Sequence, residues 1–442
     1  MTGPFQWGVI EAAQQIRTKR ISSRDYVRAL LARIAEYEPA LQAWAELAAD
    51  RAEAEAIECD EETARGVSRG PLHGVPVAVK DNLDIAGLPT RAGSDLADDA
   101  AADADAEAIR KLRRAGAIVL GKTAMTPFAA MDPAPTRNPW NGRHTPGGSS
   151  SGSAAAVAAQ MCAAALGTQT AGSVLRPAAY CGVVGLKPTY EAISRKGLLP
   201  CAWSMDHVGV IARDVDDVAL IFGVLTDARP SEAPDGEAAP IIGMPDRGFE
   251  IAEADDAEAF AQAVDVLVDA GAKVVPVRLP DGFEALAAAG IVAMYAEMGA
   301  FHRDLFSRCG SDYPPRLRVL VEAGLSLTAA DYINAQRVRR RAAAELSELL
   351  AGLTALVTPT TAGPAPADQR STGDWRFNLP FSASGHPAIT LPCGFSKGGM
   401  PLGLQAVAAR GREDRLFALG RLFQRHSDWH RRRAPMTKLG IH

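Results

Sequence analysis

The sequence has few cysteines, and no two of them form a closely spaced pair. The six cysteines among 442 residues stand far apart, so the CxxC motif of zinc sites and redox proteins is absent. Several lie in apolar stretches, where a free cysteine behaves as a small hydrophobic residue. We therefore expect reduced thiols, no metal, no cofactor and a cytoplasmic protein.

A strong excess of charge and a long apolar run are also absent. The net charge is −5, from 47 Lys and Arg against 52 Asp and Glu, which gives no reason to expect nucleic acid as a partner. No stretch of about 18 uninterrupted apolar residues occurs, so we expect no membrane span. The first residues lack the basic-then-apolar pattern of a signal peptide.

What the chain does have is the composition of a folded globular protein, 47% hydrophobic and 22% charged. Strand-like and helix-like hydrophobic patterns alternate along it, which predicts an α/β core with largely parallel pairing. Residues 154–164, rich in alanine, are predicted to form one helix, and residues 285–350 to be mostly helical. A cluster of Pro, Asp and Glu at 227–240 predicts a surface loop.

Residues 116–123 read GAIVLGKT and match the phosphate-loop pattern GxxxxGK[ST]. The four middle residues are apolar, however, and resemble a buried strand rather than a flexible loop that wraps phosphate. Pro127, soon afterwards, disfavours the long helix that follows a phosphate loop. We therefore reject nucleotide binding.

Three other segments carry groups suited to hydrolysis. Lys80 ends the apolar run VPVAV, and burial there would lower its pKa enough for it to act as a base near neutral pH. Residues 147–152, GGSSSG, precede a helix-like stretch and offer hydroxyls and backbone N–H groups. Ser173 ends a run of small residues that would leave N–H groups open to an oxyanion. Each segment alone is equally compatible with a strand end or a turn.

Together these segments resemble the amidase signature family across nearly the whole chain. The resemblance is carried by LHGVPVAVKDN at 72–82, by PGGSSSGSAAA at 146–156 and by residues 167–188. The spacings between Lys80, Ser149 and Ser173 agree with the family. The resemblance implies an α/β amidase signature fold, in which a large mixed central sheet is covered by helices on both faces.

The resemblance also implies a role for each residue of the site. Ser173 would be the nucleophile, Ser149 a bridging serine that follows a cis peptide bond, and Lys80 the base. The backbone N–H groups of Thr170, Ala171, Gly172 and Ser173 would form the oxyanion hole. His73 and His144, the two histidines near these segments, are interpreted as structural or as part of the pocket wall.

The sequence departs from the common family pattern beside the nucleophile. Gln169 replaces an Asp, Ala171 replaces a Gly, and an arginine stands three residues after the serine, at Arg176, rather than two. This variant is similar to malonamidase-like members, so Arg176 would bind a substrate carboxylate or, alternatively, make internal contacts. By analogy, the remaining substrate-binding residues would be apolar or aromatic, with the protein core as the alternative location: Met125, Phe128, Met131, Trp203, Trp375 and Phe377.

We predict a single domain at 1–442, made of N-terminal helices (1–65), a signature core (66–225), a strand–helix insertion with a helical region (240–350) and a C-terminal part of the core (351–442). The predicted activity is hydrolysis of small acyl or aryl amides by a monomer or homodimer. Carbamate or ester hydrolysis at the same site is the alternative. A glutaminase component of a transfer-RNA amidotransferase is a further alternative, whose glutamine-handling pattern is not clearly present.

Overall fold

The structure is a computed structural model that describes residues 3–227, 239–437 and 439. Most of the loop predicted at 227–240 therefore lies outside the described residues. Thirteen α-helices occur in the part of the chain described: α1 Val9–Arg17, α2 Ser23–Leu41, α3 Ala49–Ala64, α4 Glu107–Arg114, α5 Ser151–Ala158, α6 Leu175–Cys181, α7 Val215–Thr226, α8 Ala254–Asp269, α9 Phe283–Cys309, α10 Pro315–Ser326, α11 Ala329–Ala351, α12 Leu379–Ala383 and α13 Glu413–Arg425.

Eleven strands form one sheet in the same residues. They are β1 Trp44–Leu47, β2 Pro76–Lys80, β3 Ile118–Thr123, β4 Ala164–Gln169, β5 Val184–Lys187, β6 His207–Ala212, β7 Ile241–Pro245, β8 Lys273–Val277, β9 Ala355–Pro359, β10 Ala388–Phe395 and β11 Pro401–Val407. Their order across the sheet is β1-β3-β2-β4-β6-β5-β10-β11-β9-β7-β8.

The sheet is mixed, which confirms the predicted fold class. Strand β2 runs parallel to β3 and β4, and β7 runs parallel to β8 and β9. The centre of the sheet, from β4 through β6, β5, β10 and β11 to β9, is antiparallel. The prediction of largely parallel pairing was therefore wrong, because β10 and β11 form a hairpin and β6 enters between β4 and β5.

The central strands are covered on both faces. Every residue of β2, β3, β4, β6 and β11 is buried. Because successive side chains of a strand point to opposite faces, burial of every residue requires cover on each side. Strand β3 contains three of the four middle residues of the phosphate-loop pattern, which are buried in a strand as predicted, and the strand continues through GKT. The Lys122 ammonium there pairs with Asp81 at 3.2 Å.

Helix α5 is shorter than the sequence predicts. It ends at Ala158, and Ala164 already begins β4, so the predicted helix over 154–164 was wrong in its second half. The chain turns at Gln160, whose φ is 61°. Alanine packs equally well in a buried helix and a buried strand, and hydrophobicity alone therefore did not separate the two.

One helical stretch, Phe283–Asp312, is long and apolar enough by length and composition to cross a membrane. Half of its most apolar segment is buried inside the protein, and core helices of soluble proteins reach the same length and hydrophobicity. Helix α9, which makes up most of this stretch, contacts α10, α11 and α12. We interpret it as a core helix, and the cytoplasmic location stays a prediction.

Helices α9 and α10 cross with their backbones in contact. A Cβ atom added at Gly324 would lie 1.9 Å from the Tyr295 carbonyl oxygen, and one added at Gly299 would lie 2.7 Å from the Gly324 carbonyl carbon. The contact requires glycine on both helices, since a methyl group would force them apart.

We predict that Gly324→Ala destabilises the fold by about 1–3 kcal/mol or more, because overpacking displaces backbone rather than a flexible side chain. Thermal and denaturant unfolding measure this. Gly352→Ala is the matched control, since nothing lies within 4 Å of its added methyl group. Equal stability of the two variants would contradict the close helix crossing.

Candidate active site

The site begins where two parallel strands end. Val77 of β2 pairs with Ala164 of β4, and Val79 pairs with Leu166. Because the strands are parallel, their carboxyl ends meet at one edge of the sheet. Lys80, the last residue of β2, therefore lies beside Thr168 and the loop of residues 170–174 that joins β4 to α6.

Lys80 is fully buried and its ammonium contacts neutral oxygen atoms. Nζ donates to Ser149 Oγ at 2.7 Å, to Thr168 Oγ1 at 2.8 Å and to the Thr168 carbonyl at 3.3 Å. Asn82 Nδ2 donates to the same Thr168 hydroxyl at 3.0 Å. Burial lowers the pKa of Lys80 to about 7, against smaller opposing effects of Cys201 and Asp206. A neutral amine is thus accessible at physiological pH.

The glycine–serine loop brings Ser149 to this lysine. The Gly148–Ser149 peptide bond is cis, as the resemblance implies. The Ser150 N–H donates to the Ser173 carbonyl at 3.2 Å, and Ser150 Oγ donates to the Thr168 carbonyl at 3.2 Å. These two bonds align the loop with the β4–α6 loop. As a result, Ser149 and Ser173 are on adjacent segments, and Ser173 is only 7% exposed.

Gln169 braces the β4–α6 loop with both ends of its amide. Its Oε1 accepts from the N–H groups of Val174 and Leu175 at 2.8 and 2.9 Å. Its Nε2 donates to the Ala171 carbonyl at 3.1 Å and to Ser382 Oγ at 2.9 Å. An aspartate at this position would lack the N–H donor. The glutamine therefore adds hydrogen bonds to the loop itself, at the Ala171 carbonyl, and to Ser382 of α12.

The backbone N–H groups of 170–173 remain open. Within the described part of the chain, no group accepts a hydrogen bond from any of them. The loop turns through small residues, so its own side chains do not cover these donors. This arrangement can receive an oxyanion formed on a carbonyl beside Ser173.

Gly172 of this loop packs against Asn378. Asn378 is fully buried, and its Nδ2 donates to the Thr360 carbonyl at 3.0 Å and to Gln405 Oε1 at 2.9 Å. Its Oδ1 has no hydrogen-bond partner among the described residues, and a Cβ atom added at Gly172 would lie 2.6 Å from that oxygen. A residue larger than glycine here would therefore force Asn378 or the loop to shift.

Arg176 contacts backbone rather than an acidic side chain. Nη1 donates to the Gly373 carbonyl at 2.8 Å and Nη2 donates to the Gly148 carbonyl at 2.5 Å. Burial lowers its pKa to about 10. Gly148 precedes Ser149, so this arginine tethers the glycine–serine loop. Its contacts match the internal alternative given by the sequence, although Nε has no partner in the described structure.

Met125, Phe128 and Met131 lie against the helical layer. Met125 and Phe128 are 2% and 3% exposed and belong to a cluster that includes Cys201 and Met298, with Met131 packed at its edge. The Phe128 ring meets the His302 ring edge-on at 4.7 Å. These side chains form core next to the Cys201 segment, which is the core alternative of the sequence interpretation.

The three other aromatic candidates occupy different places. Trp375 packs against the cluster that contains Ala171 and Met205. Phe377 is buried, with its ring 5.1 Å from that of Phe249 in an aromatic core. Trp203 is 43% exposed and lines two surface cavities, one of about 630 Å³ with Glu297 and Tyr332 and one of about 650 Å³ with Asp206. The predicted lining residues thus lie in several places, and their role in substrate binding stays a prediction.

The histidines near the predicted segments make internal hydrogen bonds. His144 Nδ1 bonds the Ala365 carbonyl at 2.7 Å. His73 lies with Cys59 and Glu62, whose donor atoms fall within 4.8 Å of one another. However, His73 Nδ1 accepts from the Arg69 N–H and Nε2 contacts the Cys59 carbonyl, while Glu62 pairs with Arg69. These groups are already satisfied by protein partners.

Sequence reasoning missed several residues that shape the site. Thr168 accepts a hydrogen bond from Lys80, as Ser149 does, and Asn378 packs against Gly172. Asp206 accepts from Thr170 Oγ1 at 2.6 Å. The one available signal was polar residues within otherwise apolar, strand-like segments, since such residues need partners when buried. That signal does not say which partner each residue meets.

A buried lysine bonded to a serine, a second serine on the next segment and a row of open N–H groups define the kind of site that acyl-transfer enzymes use. The family model described as Amidase matches residues 25–417. The chain belongs to the amidase family, and it is an amide-hydrolysing enzyme.

Individual relatives match over nearly the whole length. A glutamyl-tRNA(Gln) amidotransferase subunit from Roseiflexus castenholzii is 34% identical, with all of both chains covered. A solved structure described as an amidase superposes with a TM-score of 0.87 at 33% identity, covering 95% of this chain and 99% of that one. Peptide amidase from Stenotrophomonas maltophilia gives 0.83 at 32% identity, covering 97% and 98%.

We predict that Gly172→Ala lowers turnover at least about tenfold, since a methyl group 2.6 Å from Asn378 Oδ1 would push apart the buried, hydrogen-bonded Asn378 and the loop with the open N–H groups. Steady-state kinetics and thermal unfolding measure this. Gly363→Ala is the control, because its methyl group would meet only Asp256 Oδ2 at 3.6 Å. Wild-type turnover in Gly172→Ala would contradict the oxyanion role of this loop.

Proposed function

We propose that this chain is a serine amidohydrolase that acts without a partner and cleaves small acyl or aryl amides through an acyl-enzyme on Ser173. The observation that carries the proposal is the 2.7 Å contact between Lys80 Nζ and Ser149 Oγ in a fully buried setting. A lysine with a pKa of about 7 has a free lone pair at neutral pH. It therefore serves as a base without a histidine.

Acylation follows from the positions of these groups. Ser173 Oγ attacks the amide carbonyl carbon as its proton passes to Ser149 Oγ, whose own proton passes to Lys80 Nζ. The negative charge that develops on the carbonyl oxygen is stabilised by the open N–H groups of 170–173, at about 3 kcal/mol for one such donor. The C–N bond then breaks as the proton returns through Ser149 to the leaving nitrogen.

Deacylation uses the same groups with water as the nucleophile. Neutral Lys80, acting through Ser149, takes a proton from water, which attacks the ester carbonyl of the acyl-enzyme. The oxyanion of the tetrahedral intermediate is stabilised by the same N–H groups as in acylation. Its collapse returns the proton to Ser173 Oγ and releases the carboxylic acid, so the enzyme ends in its starting protonation state.

The substrate class rests on the surroundings of the β4–α6 loop. The half-buried Trp375 packs on the apolar cluster that contains Ala171, and such apolar, aromatic surroundings favour an apolar group on one side of the scissile bond. The same nucleophile and N–H groups serve carbamates and esters, which remain the alternatives. Because both Arg176 Nη atoms already donate to carbonyls, we place Arg176 as a tether of the site rather than a carboxylate receptor.

A glutaminase role is the second candidate. It is supported by the 34% identity to a relative that carries the name of an amidotransferase component. Glutamine and a partner protein would then replace the small amide. The identity to solved amidases, 32–33%, is about the same. Sequence similarity therefore does not separate the two functions, and the choice depends on measured activity.

The test is a substrate panel with purified protein: an aliphatic amide, an anilide, malonamate, an aryl carbamate, an ester and glutamine. We expect cleavage of the anilide or aliphatic amide, and we expect Ser173→Ala and Lys80→Ala to lose at least about a thousandfold in kcat while remaining folded. Near-wild-type activity in Lys80→Ala would overturn the mechanism. Activity on glutamine alone, or only after a partner is added, would favour the glutaminase role.

The pH dependence gives a separate prediction. Because the base must be neutral and its pKa is lowered to about 7, kcat/KM should fall about tenfold per pH unit below pH 7 and level off above it. The apparent pKa belongs to the Lys80–Ser149 relay as a unit. The measurement is kcat/KM on the anilide from about pH 5.5 to 9. A profile that is flat through pH 7 would exclude a neutralised lysine as the base.

A further inference from the structure

A buried carboxylate outside the proposed triad holds the start of the β4–α6 loop. Asp206 is 3% exposed. Its Oδ1 accepts from Thr170 Oγ1 at 2.6 Å and from the Ala202 N–H at 3.1 Å, and its Oδ2 accepts from the N–H groups of Cys201 and Ala202 at 2.9 and 3.0 Å. One side chain thus joins the turn at 201–202 to the loop that carries Ser173.

The placement of Thr170 makes this contact consequential. Thr170 is the first residue after β4 and carries the first of the open N–H groups. Gln169 fixes the far end of the same loop through the N–H groups of Val174 and Leu175. The Thr170 hydroxyl is the corresponding tie at the near end, where it donates to the Asp206 carboxylate.

We propose that Asp206 is a positioning residue for the oxyanion hole: its carboxylate fixes the Thr170 side chain, and thereby the N–H groups of 171–173, against the 201–202 turn. This inference rests on the proposed function, because it concerns the same site. Asp206 touches neither substrate nor reacting atoms in this role. It acts through Thr170.

The carboxylate also contributes charge to its surroundings. Burial raises the pKa of Asp206 to about 6, with its donors and the nearby Glu297 as smaller influences. Its negative charge favours the protonated form of Lys80 and contributes to the raised pKa of Cys201 and Tyr190. A variant that removes this charge will therefore differ in its pH profile from one that removes only the hydrogen bond. The comparison separates the effect of the Asp206 charge from the effect of its hydrogen bond.

The first test removes the hydrogen bond and keeps the charge. Thr170→Val is expected to lower kcat about tenfold or more with little change in the pH at which activity falls, and Thr170→Ser, which keeps a hydroxyl, is expected to regain most of the loss. Thr136→Val is the matched control, since it removes a buried threonine hydroxyl whose 2.6 Å bond goes to the Gln42 carbonyl. Wild-type kcat in Thr170→Val, or no rescue by Thr170→Ser, would overturn the proposal.

The second test removes the charge. Asp206→Asn should lower kcat and also move the acidic limb of the kcat/KM profile to lower pH, since Lys80 loses a neighbouring negative charge. The rate at which a fluorophosphonate labels Ser173 supplies a readout that needs no turnover, and it should fall in both variants. An unmoved acidic limb together with wild-type labelling would overturn the role of Asp206.

The failure of this inference is distinguishable from failure of the proposed function. If Ser173→Ala keeps activity and labelling, the proposed function is wrong and the oxyanion loop lies elsewhere. If Ser173→Ala loses both while Thr170→Val and Asp206→Asn behave as wild type, the mechanism stands and only the positioning role is wrong. Thermal unfolding of each variant confirms that the folded enzyme is being compared.

Discussion

The burial of the Lys80 ammonium is the constraint on which the site depends. Three lysines are fully buried in the described structure, Lys80, Lys122 and Lys187, and the ammonium group of each has a different kind of partner. Lys122 pairs with Asp81 at 3.2 Å, and Lys187 donates to the carbonyls of Pro188 and His386. Lys80 alone of the three contacts a serine hydroxyl. Burial lowers the pKa of both Lys80 and Lys187 to about 7, so a lowered pKa does not by itself identify a base.

The parallel pair β2 and β4 explains how three distant segments meet. Two parallel strands deliver Lys80 and Thr168 to one edge, and the loop after β4 then only has to turn once to place Ser173. The polar side chains that hold this turn come from far along the chain, Ser382 on α12 and Asp206 before β6. Through Ser382 the C-terminal third of the protein is therefore part of the site, although it supplies no member of the proposed triad.

The sequence predicted the fold class and the segments of the site because both are local. Lys80 at the end of an apolar run and serines after glycines are visible in a few adjacent residues, and the structure places Lys80 and Ser149 together. Strand direction was predicted wrongly, since it depends on how β6 and the β10–β11 hairpin enter the sheet. The substrate lining cannot be read from local signals, which are the same for Phe377 in an aromatic core, Trp203 at a surface cavity and Trp375 at the cluster that contains Ala171. Their burial is decided by contacts between distant elements.

Stability and activity make compatible demands on this site above neutral pH. The pKa of Lys80 is about 7 in the fold against about 10.4 unfolded, so the unfolded chain binds the extra proton between those values and stability rises with pH there. Asp206 has the opposite effect on stability at lower pH. Its pKa is raised to about 6 in the fold from about 3.9 in the unfolded chain, so the folded protein binds the extra proton between those values and stability falls as pH rises there. Between about pH 6 and 7 both side chains are charged, so the fold bears the full cost of burying the Lys80 ammonium and the Asp206 carboxylate. Above pH 7 the neutral form of Lys80, which the proposed mechanism requires, is also the form whose burial costs least.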